Sequence, residues 1–340
     1  MDKILQVKDL SVSFNTYVGE VKAVRGVSFD IAPGETLAFV GESGCGKTVT
    51  AKAIMRLLQP PFSVIKEGSS VMFEDTEVLD MGKRELREYR GNDVSMIFQD
   101  PMTSLNPTMT CGKQIMESLM LHRGMDKAQA RQAAIDTLTL VKIPDAEKRV
   151  DEYPHQMSGG MRQRVMIAIA ISCEPKILIA DEPTTALDVT IQAQIIDLLR
   201  ELKEKLGIAI ILVSHDLGVV ANFADRIQVM YAGQILERGT AHEIFYESKH
   251  PYTWALLSSV PKLGTEIKHQ LYSLGGTPPD LLLPLECCPF AARCEYCMPI
   301  CRERNPQEQK LSDTHGVSCW LLHPDAPKVK SFNERQREEI

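Results

Sequence analysis

The chain has 340 residues, enough for about two domains at roughly 150 residues each, and its 38 Lys and Arg against 45 Asp and Glu leave a net charge of −7. That balance excludes an overall basic field for holding nucleic acid. The longest apolar runs, residues 165–171 and 208–213, are far too short to span a bilayer, and Met1-Asp2-Lys3-Ile4 does not open a signal peptide. The chain is therefore expected in the cytosol, with any membrane work done through partners.

Residues 4–7, 10–14 and 27–31 read as short strands, and Pro33-Gly34-Glu35 turns the chain into a buried strand at 36–40. Phe14 and Tyr17 lie in this β layer, and either ring has the shape to stack on an adenine or to pack in the layer. Then comes Gly41-Glu42-Ser43-Gly44-Cys45-Gly46-Lys47-Thr48, which fits the phosphate-binding loop G-x-x-x-x-G-K-[ST] between a strand and a helix predicted over 49–58. Its glycines let backbone N–H groups turn inward, so that loop and helix N-terminus make an anion cradle. Lys47 reaches the outer phosphates and Thr48 offers its hydroxyl to Mg²⁺.

Further strands are predicted at 70–73 and 93–98, with a charged helix over 83–90 between them. The strand at 93–98 runs into Gln99-Asp100-Pro101, where Pro101 ends regular pairing and leaves Gln99 at a strand end. Helical periodicity over 110–141 (Ile115, Leu119, then Ala130, Ala134, Leu138) marks a helical insertion that ends at Ile143-Pro144. Ser158-Gly159-Gly160 pairs an N-cap residue with two glycines at the head of a helix predicted over 161–172, a second anion-binding geometry. The apolar run 177–180 reads as a buried strand that delivers Asp181 and Glu182 at its end, the edge where open α/β sheets place ligands. In phosphoryl-transfer sites one carboxylate holds Mg²⁺, which leaves Glu182 to accept a proton from water. A helix from Thr185-Ala186-Leu187-Asp188 to about Leu206 ends at Gly207, and a last buried strand at 208–213 puts Ser214-His215-Asp216 at its end.

Taken in this order, the motifs resemble those of the ATPase subunits of ABC transporters. The resemblance implies an α/β P-loop NTPase core with an antiparallel β layer and a helical subdomain over about 100–172, and it covers roughly residues 1–250. It gives Gly41–Thr48 the role of Walker A, with Ser43, Gly44, Cys45, Gly46, Lys47 and Thr48 around the nucleotide. Gln99 corresponds to the Q-loop, Ser158-Gly159-Gly160 to the signature motif, Asp181 to Walker B and Glu182 to its catalytic glutamate. Residues 185–188 correspond to the D-loop, and His215 to the switch histidine. Catalysis by Glu182, His215, Lys47 and Gln99 on ATP, with Mg²⁺ on Thr48, Gln99 and Asp181, follows from that resemblance. So does an ATP sandwiched between Walker A of one subunit and the signature of another. Met161 stands where the signature usually has Gln, which removes an amide from that motif. Soluble ABC ATPases of DNA repair or translation and exporter halves are disfavoured by the negative charge, the short insertion and the lack of a span.

Gln99–Pro107, His250-Pro251-Tyr252-Thr253 and a cysteine-bearing tail resemble, more narrowly, the oligopeptide/dipeptide importers, whose relatives also carry nickel or other small solutes. The resemblance implies a second, related ATPase subunit in a heterodimer, two membrane permeases, an extracytoplasmic solute-binding protein and no nucleic acid. It places the chain on the cytoplasmic face of the inner membrane, touching the bilayer only through the permeases, which dock near residues 100–107.

From 251 to 340 the chain reads as a small extension with a short helix at 252–260, followed by a loop-rich segment. Six of the nine cysteines fall there, with the spacing Cys288-x₅-Cys294-x₆-Cys301-x₁₇-Cys319 and with Cys287 and Cys297 besides. In a reducing compartment such clustering points to metal before disulfides. The spacing is wider than most zinc sites and suits an iron-sulfur cluster, although Cys294-x₂-Cys297 is itself a metal-binding pair and plain thiols stay open. Peptide-importer ATPases of this kind carry a 4Fe-4S cluster at matching cysteines, so the resemblance favours the cluster over Zn.

Overall fold

The structure is a computed structural model that describes residues 3–185, 187–259 and 274–332. Ala186 of the expected D-loop and Val260 of the expected short helix lie outside the described residues. The chain divides into two compact units, one of residues 1–5, 30–36 and 72–213 and one of residues 6–29, 37–71 and 214–340.

The first unit is built on three parallel strands, Val94–Ile97, Ile177–Asp181 and Ala209–Ser214, with Ala180 opposite both Ile97 and Leu212. Every residue of these strands is buried, as continuous apolar strands covered on both faces must be. Helix Val189–Leu206 starts at Asp188, whose carboxylate accepts the Ile191 N–H at 2.9 Å, and stops at Gly207 in left-handed conformation. Its buried stripe, Ile195, Ile196, Leu198, Leu199 and Leu202, follows the 3.6-residue period. The helical insertion consists of Cys111–His122 and Lys127–Leu140, broken at Gly124, with a capping box at Asp126 and Gln129 on the second helix. Helix Gly159–Ile171 begins at its N-cap Ser158, two residues before the predicted start.

In the second unit, the strand segments predicted at 4–7 and 10–14 form one strand, Leu5–Thr16, because Asp9 adopts a φ of +47° and lets the strand kink without ending. It pairs antiparallel with Ser63–Ile65 and is followed by strand Gly19–Ile31. Strand Thr36–Val40 pairs in parallel with Arg226–Tyr231, which returns through a hairpin into Gln234–Thr240. This hairpin was not foreseen. Its turn is Ala232-Gly233, with φ of +49° and +82°, a type of chain reversal that two positive φ values favour. Beyond it, the sheet gains Gly316–Val317 and Gln309–Lys310 from the cysteine-bearing segment, both antiparallel. Among the described residues, no helix is long and apolar enough to cross a membrane.

Candidate functional site

In the first unit, the parallel strands carry chemistry at their C-terminal ends. Asp181 closes its strand and is buried. Glu182 follows at a φ of +47°, anchored by its N–H, which donates to Val213 O at 2.9 Å. That left-handed conformation is uncommon for a residue with a side chain and is found at functional sites. It turns the carboxylate toward two neutral donors: Gln99 Nε2 reaches Glu182 Oε2 at 2.8 Å and Thr185 Oγ1 reaches the same oxygen at 3.0 Å. Gln99 is exposed just beyond the strand Val94–Ile97, so the structure brings the two strand-end residues Gln99 and Glu182 together, 83 positions apart in sequence. Ser158 accepts the Met161 N–H at 3.4 Å as N-cap. Gly159 is exposed with open space at its α-carbon, whereas Gly160 packs closely on helix Val189–Leu206, a Cβ there standing 3.1 Å from Ile191.

The second unit holds the glycine loop. Gly46, at a φ of +108°, precedes helix Lys47–Ile54, and a Cβ there would come within 2.6 Å of Ala23 O. Gly41 is closed in the same way by Met230 O. Only glycine fits either place. Helix Lys47–Ile54 starts two residues earlier and ends four earlier than predicted, so Lys47 and Thr48 are its first residues. The nucleotide-binding set ends at Thr48, since the next helix residue, Val49, is half-buried and its apolar side chain offers no oxygen to Mg²⁺ or phosphate. The Lys47 ammonium is buried and donates to Gly41 O at 2.8 Å and Glu42 O at 3.0 Å. Ser43 and Gly44 are exposed on the loop's crest. Cys45 is buried and its thiol is pushed up by that burial, so it packs rather than reacts. Phe14 is half-buried on its strand and Tyr17 fully exposed in the following turn. His215 is exposed after the strand Ala209–Ser214, ahead of Asp216, which caps helix Leu217–Phe223.

Several polar residues that the motif reading missed converge on this loop. The Glu42 N–H donates to Tyr252 Oη at 2.9 Å, and the Glu42 carboxylate is gripped by Arg293. Tyr231, Tyr252 and Phe290 pack ring on ring at 4.7–5.4 Å beneath it. Glu237, fully buried, accepts the backbone N–H groups of Lys249 and His250 and the His315 ring at 2.9 Å. The His250-Pro251-Tyr252 run, visible in the sequence only as a family detail, was the one signal of this cluster.

The metal centre expected at the cysteines is not found as such: among the described residues no group of three or more His, Cys, Asp or Glu is placed to hold a metal ion. Burial pushes the Cys288 and Cys319 thiols up to about 12 and Cys294 to about 11, and Cys301 also rises, so binding a metal here would displace thiol protons. The four still lie within electrostatic reach of one another, since Cys319 feels Cys288, Cys294 and Cys301. Backbone N–H groups of Phe290, Tyr296 and Leu321 point at the sulfurs of Cys288, Cys294 and Cys319. A sulfur-only set with N–H donors is the second shell that suits thiolate ligands, so these residues fit an iron-sulfur group in kind.

Comparison with known proteins places these features in a family. Residues 24–185 match the ABC transporter family model, and residues 236–301 match the oligopeptide/dipeptide transporter C-terminal region. The chain is 55% identical to the oligopeptide transport ATP-binding protein OppD of Bacillus subtilis, over 96% of this chain and 91% of that one. It is 53% identical to the dipeptide transport ATP-binding protein DppD of Lactococcus lactis subsp. cremoris, over 96% and 93%. Among solved structures, a dimeric ATP-binding cassette in a post-hydrolysis state with ADP and Pi is similar at a TM-score of 0.62 and 27% identity, over 70% of this chain and 98% of that one.

Proposed function

This chain belongs to the ABC transporter family and is an ATPase with that family's fold, and we propose that it is the subunit whose ATP hydrolysis drives an importer of di- and oligopeptides. The observation that carries the peptide reading is full-length similarity to peptide-transport ATP-binding proteins together with the matched C-terminal region.

The proposed site uses Gly41–Thr48 as the phosphate cradle. Lys47 exchanges its two carbonyl partners for the outer phosphate oxygens, and Phe14 or Tyr17 stacks on adenine. Thr48, Gln99 and Asp181 would hold Mg²⁺, which an ABC ATPase uses to neutralise phosphate charge. Glu182 takes the proton of the attacking water as the water's oxygen bonds to the γ-phosphorus and the bond to the β-phosphate oxygen breaks. Gln99 and Thr185, both donating to one carboxylate oxygen, fix its plane without cancelling its charge. His215 stabilises the γ-phosphoryl oxygens. Ser158, Gly159 and Gly160 serve the nucleotide of a second, related ATPase subunit, so that ATP closes the heterodimer and hydrolysis reopens it. Met161 supplies no amide there, and the Ser158 hydroxyl and the glycine N–H groups meet the γ-phosphate.

The ATPase domain runs to about residue 250, with its helical subdomain at about 100–172, and residues 251–340 form the cysteine-bearing extension. Two permeases dock near residues 100–107 and hold the chain at the cytoplasmic face of the membrane, and a solute-binding protein delivers the peptide. Cys288, Cys294, Cys301 and Cys319 would hold a 4Fe-4S cluster as a structural group. Anaerobically purified chain is expected to contain iron and acid-labile sulfide, whereas a zinc-loaded, colourless chain overturns the cluster. For the transport reading, removal of the chain should abolish uptake of labelled di- and tripeptides, restored by wild type and not by Glu182→Gln. Unchanged peptide uptake with lost nickel uptake would transfer it to the small-solute branch.

A further inference from the structure

Arg293 sits immediately before Cys294, at the end of the short helical turn Ala291–Arg293, yet its side chain is only 4% exposed. Its guanidinium makes a two-point pair with Glu42, Nη1 to Oε2 at 2.6 Å and Nη2 to Oε1 at 2.9 Å. Nη1 also donates to Tyr231 Oη at 3.2 Å, and Nε to Gly275 O at 2.9 Å. The fork geometry is the strong, directional form of an ion pair. Glu42 is the second residue of the phosphate loop, and it is bonded at three points: its carboxylate by Arg293, its N–H by Tyr252 and its carbonyl by Lys47. A carboxylate on a loop built to receive phosphates opposes its ligand unless a cation neutralises it. The neutralising cation comes from 251 positions away, in the cysteine-bearing segment.

We propose that Arg293 is a positioning residue for the phosphate loop: by pairing with Glu42 it holds the loop's second residue in place, screens its charge from the nucleotide's phosphates, and makes nucleotide affinity depend on the folded cysteine segment. The inference rests on reading Gly41–Thr48 as the nucleotide site. It needs no metal, because the pair forms through the guanidinium alone. Arg293 touches neither the phosphates nor the reacting atoms, so it acts on binding and leaves the chemical step unchanged.

The test measures ATP affinity of the full-length chain by equilibrium dialysis, with steady-state KM and kcat. Arg293→Ala is expected to raise Kd and KM about tenfold, a tenfold change being the usual size for losing one charge-assisted contact, with kcat held within about twofold. Adding Glu42→Gln to Arg293→Ala is expected to bring affinity back to within about twofold of wild type, since the lesion is an uncompensated carboxylate. A merely structural role predicts the reverse, a double variant no better than the single. Should Arg293→Ala fail to fold, Arg293→Lys carries the same test, because one ammonium replaces a two-point fork: Kd rises about threefold and Glu42→Gln removes the rise. Wild-type affinity in the Arg293 variants, or no recovery in the double variants, overturns the proposal. Lys47→Ala separates the two readings: it abolishes ATP binding if the loop is the site, and normal binding by Lys47→Ala overturns the loop reading along with this one.

Discussion

Glu182 and Glu42 each follow a wholly buried strand, Ile177–Asp181 and Thr36–Val40, and each is held by two hydrogen bonds to its carboxylate or more. The partners differ in kind. Glu182 receives an amide and a hydroxyl, neutral groups that orient it and leave its charge in place. Glu42 receives a guanidinium, which cancels its charge. On the proposed mechanism, the carboxylate that takes a proton is aimed by dipoles, and the one that stands beside a polyanion is neutralised by a cation. The chemistry of the neighbour, more than the residue itself, separates the two roles.

The comparison breaks most visibly at Glu182. Glu182→Gln is expected to retain ATP binding and to slow hydrolysis by roughly 10²- to 10⁴-fold, the usual contribution of a general base, as read by steady-state ATPase rates beside nucleotide binding. Normal turnover would remove the proton-accepting role. A third carboxylate, Glu237, sharpens the contrast by being fully buried with His315 and two backbone N–H groups. Replacing it with Ala leaves those donors unpaired and is expected to destabilise the chain by about 3–5 kcal/mol in a denaturant titration. Removing only an orienting dipole costs less: Thr185→Val deletes one hydroxyl bond to the Glu182 carboxylate, about 1.5 kcal/mol for a bond to a charged group, and should reduce kcat by about tenfold in steady-state ATPase rates.

At neutral pH the smallest effect belongs to His250. Burial depresses its pKa to about 4, against a partial upward pull from Glu237. Its Nδ1 accepts the Tyr252 N–H at 3.0 Å, a bond only the unprotonated nitrogen makes. With the folded pKa below the ordinary 6.5, the stabilisation is complete above about pH 6.5 and is lost as pH falls toward about 4. Melting temperature should therefore be flat near pH 7 and decline through that window. His250→Gln should flatten the decline.

Much of the first unit was legible because local pattern and global fold agree there: apolar runs became parallel strands, and Asp181, Glu182 and Gln99 stood at strand ends where the sequence placed them. The glycine loop was equally legible, since eight contiguous residues specify it. What stayed hidden was joined across distance. Arg293 reads locally as one more charge beside a cysteine, and only the folded chain brings it to Glu42. The strands Arg226–Tyr231 and Gln234–Thr240 were missed because their turn, Ala232-Gly233, carries no Asn or Asp to announce it. The cysteine spacing raised a metal expectation without showing the geometry behind it: in the folded chain Cys319 lies within electrostatic reach of Cys288, Cys294 and Cys301, though among the described residues no group of three or more is already placed around an ion.

Lys47 gives the loop a property of its own. Because Gly41 O and Glu42 O already hold the ammonium at 2.8 and 3.0 Å, every incoming anion must win the cation from two carbonyl dipoles. A singly charged anion offers little advantage in that contest, whereas a triphosphate offers several oxygens at once. On the proposed nucleotide reading, affinity at this loop is therefore a difference between two sets of oxygens, the carbonyls of Gly41 and Glu42 and those of the phosphates.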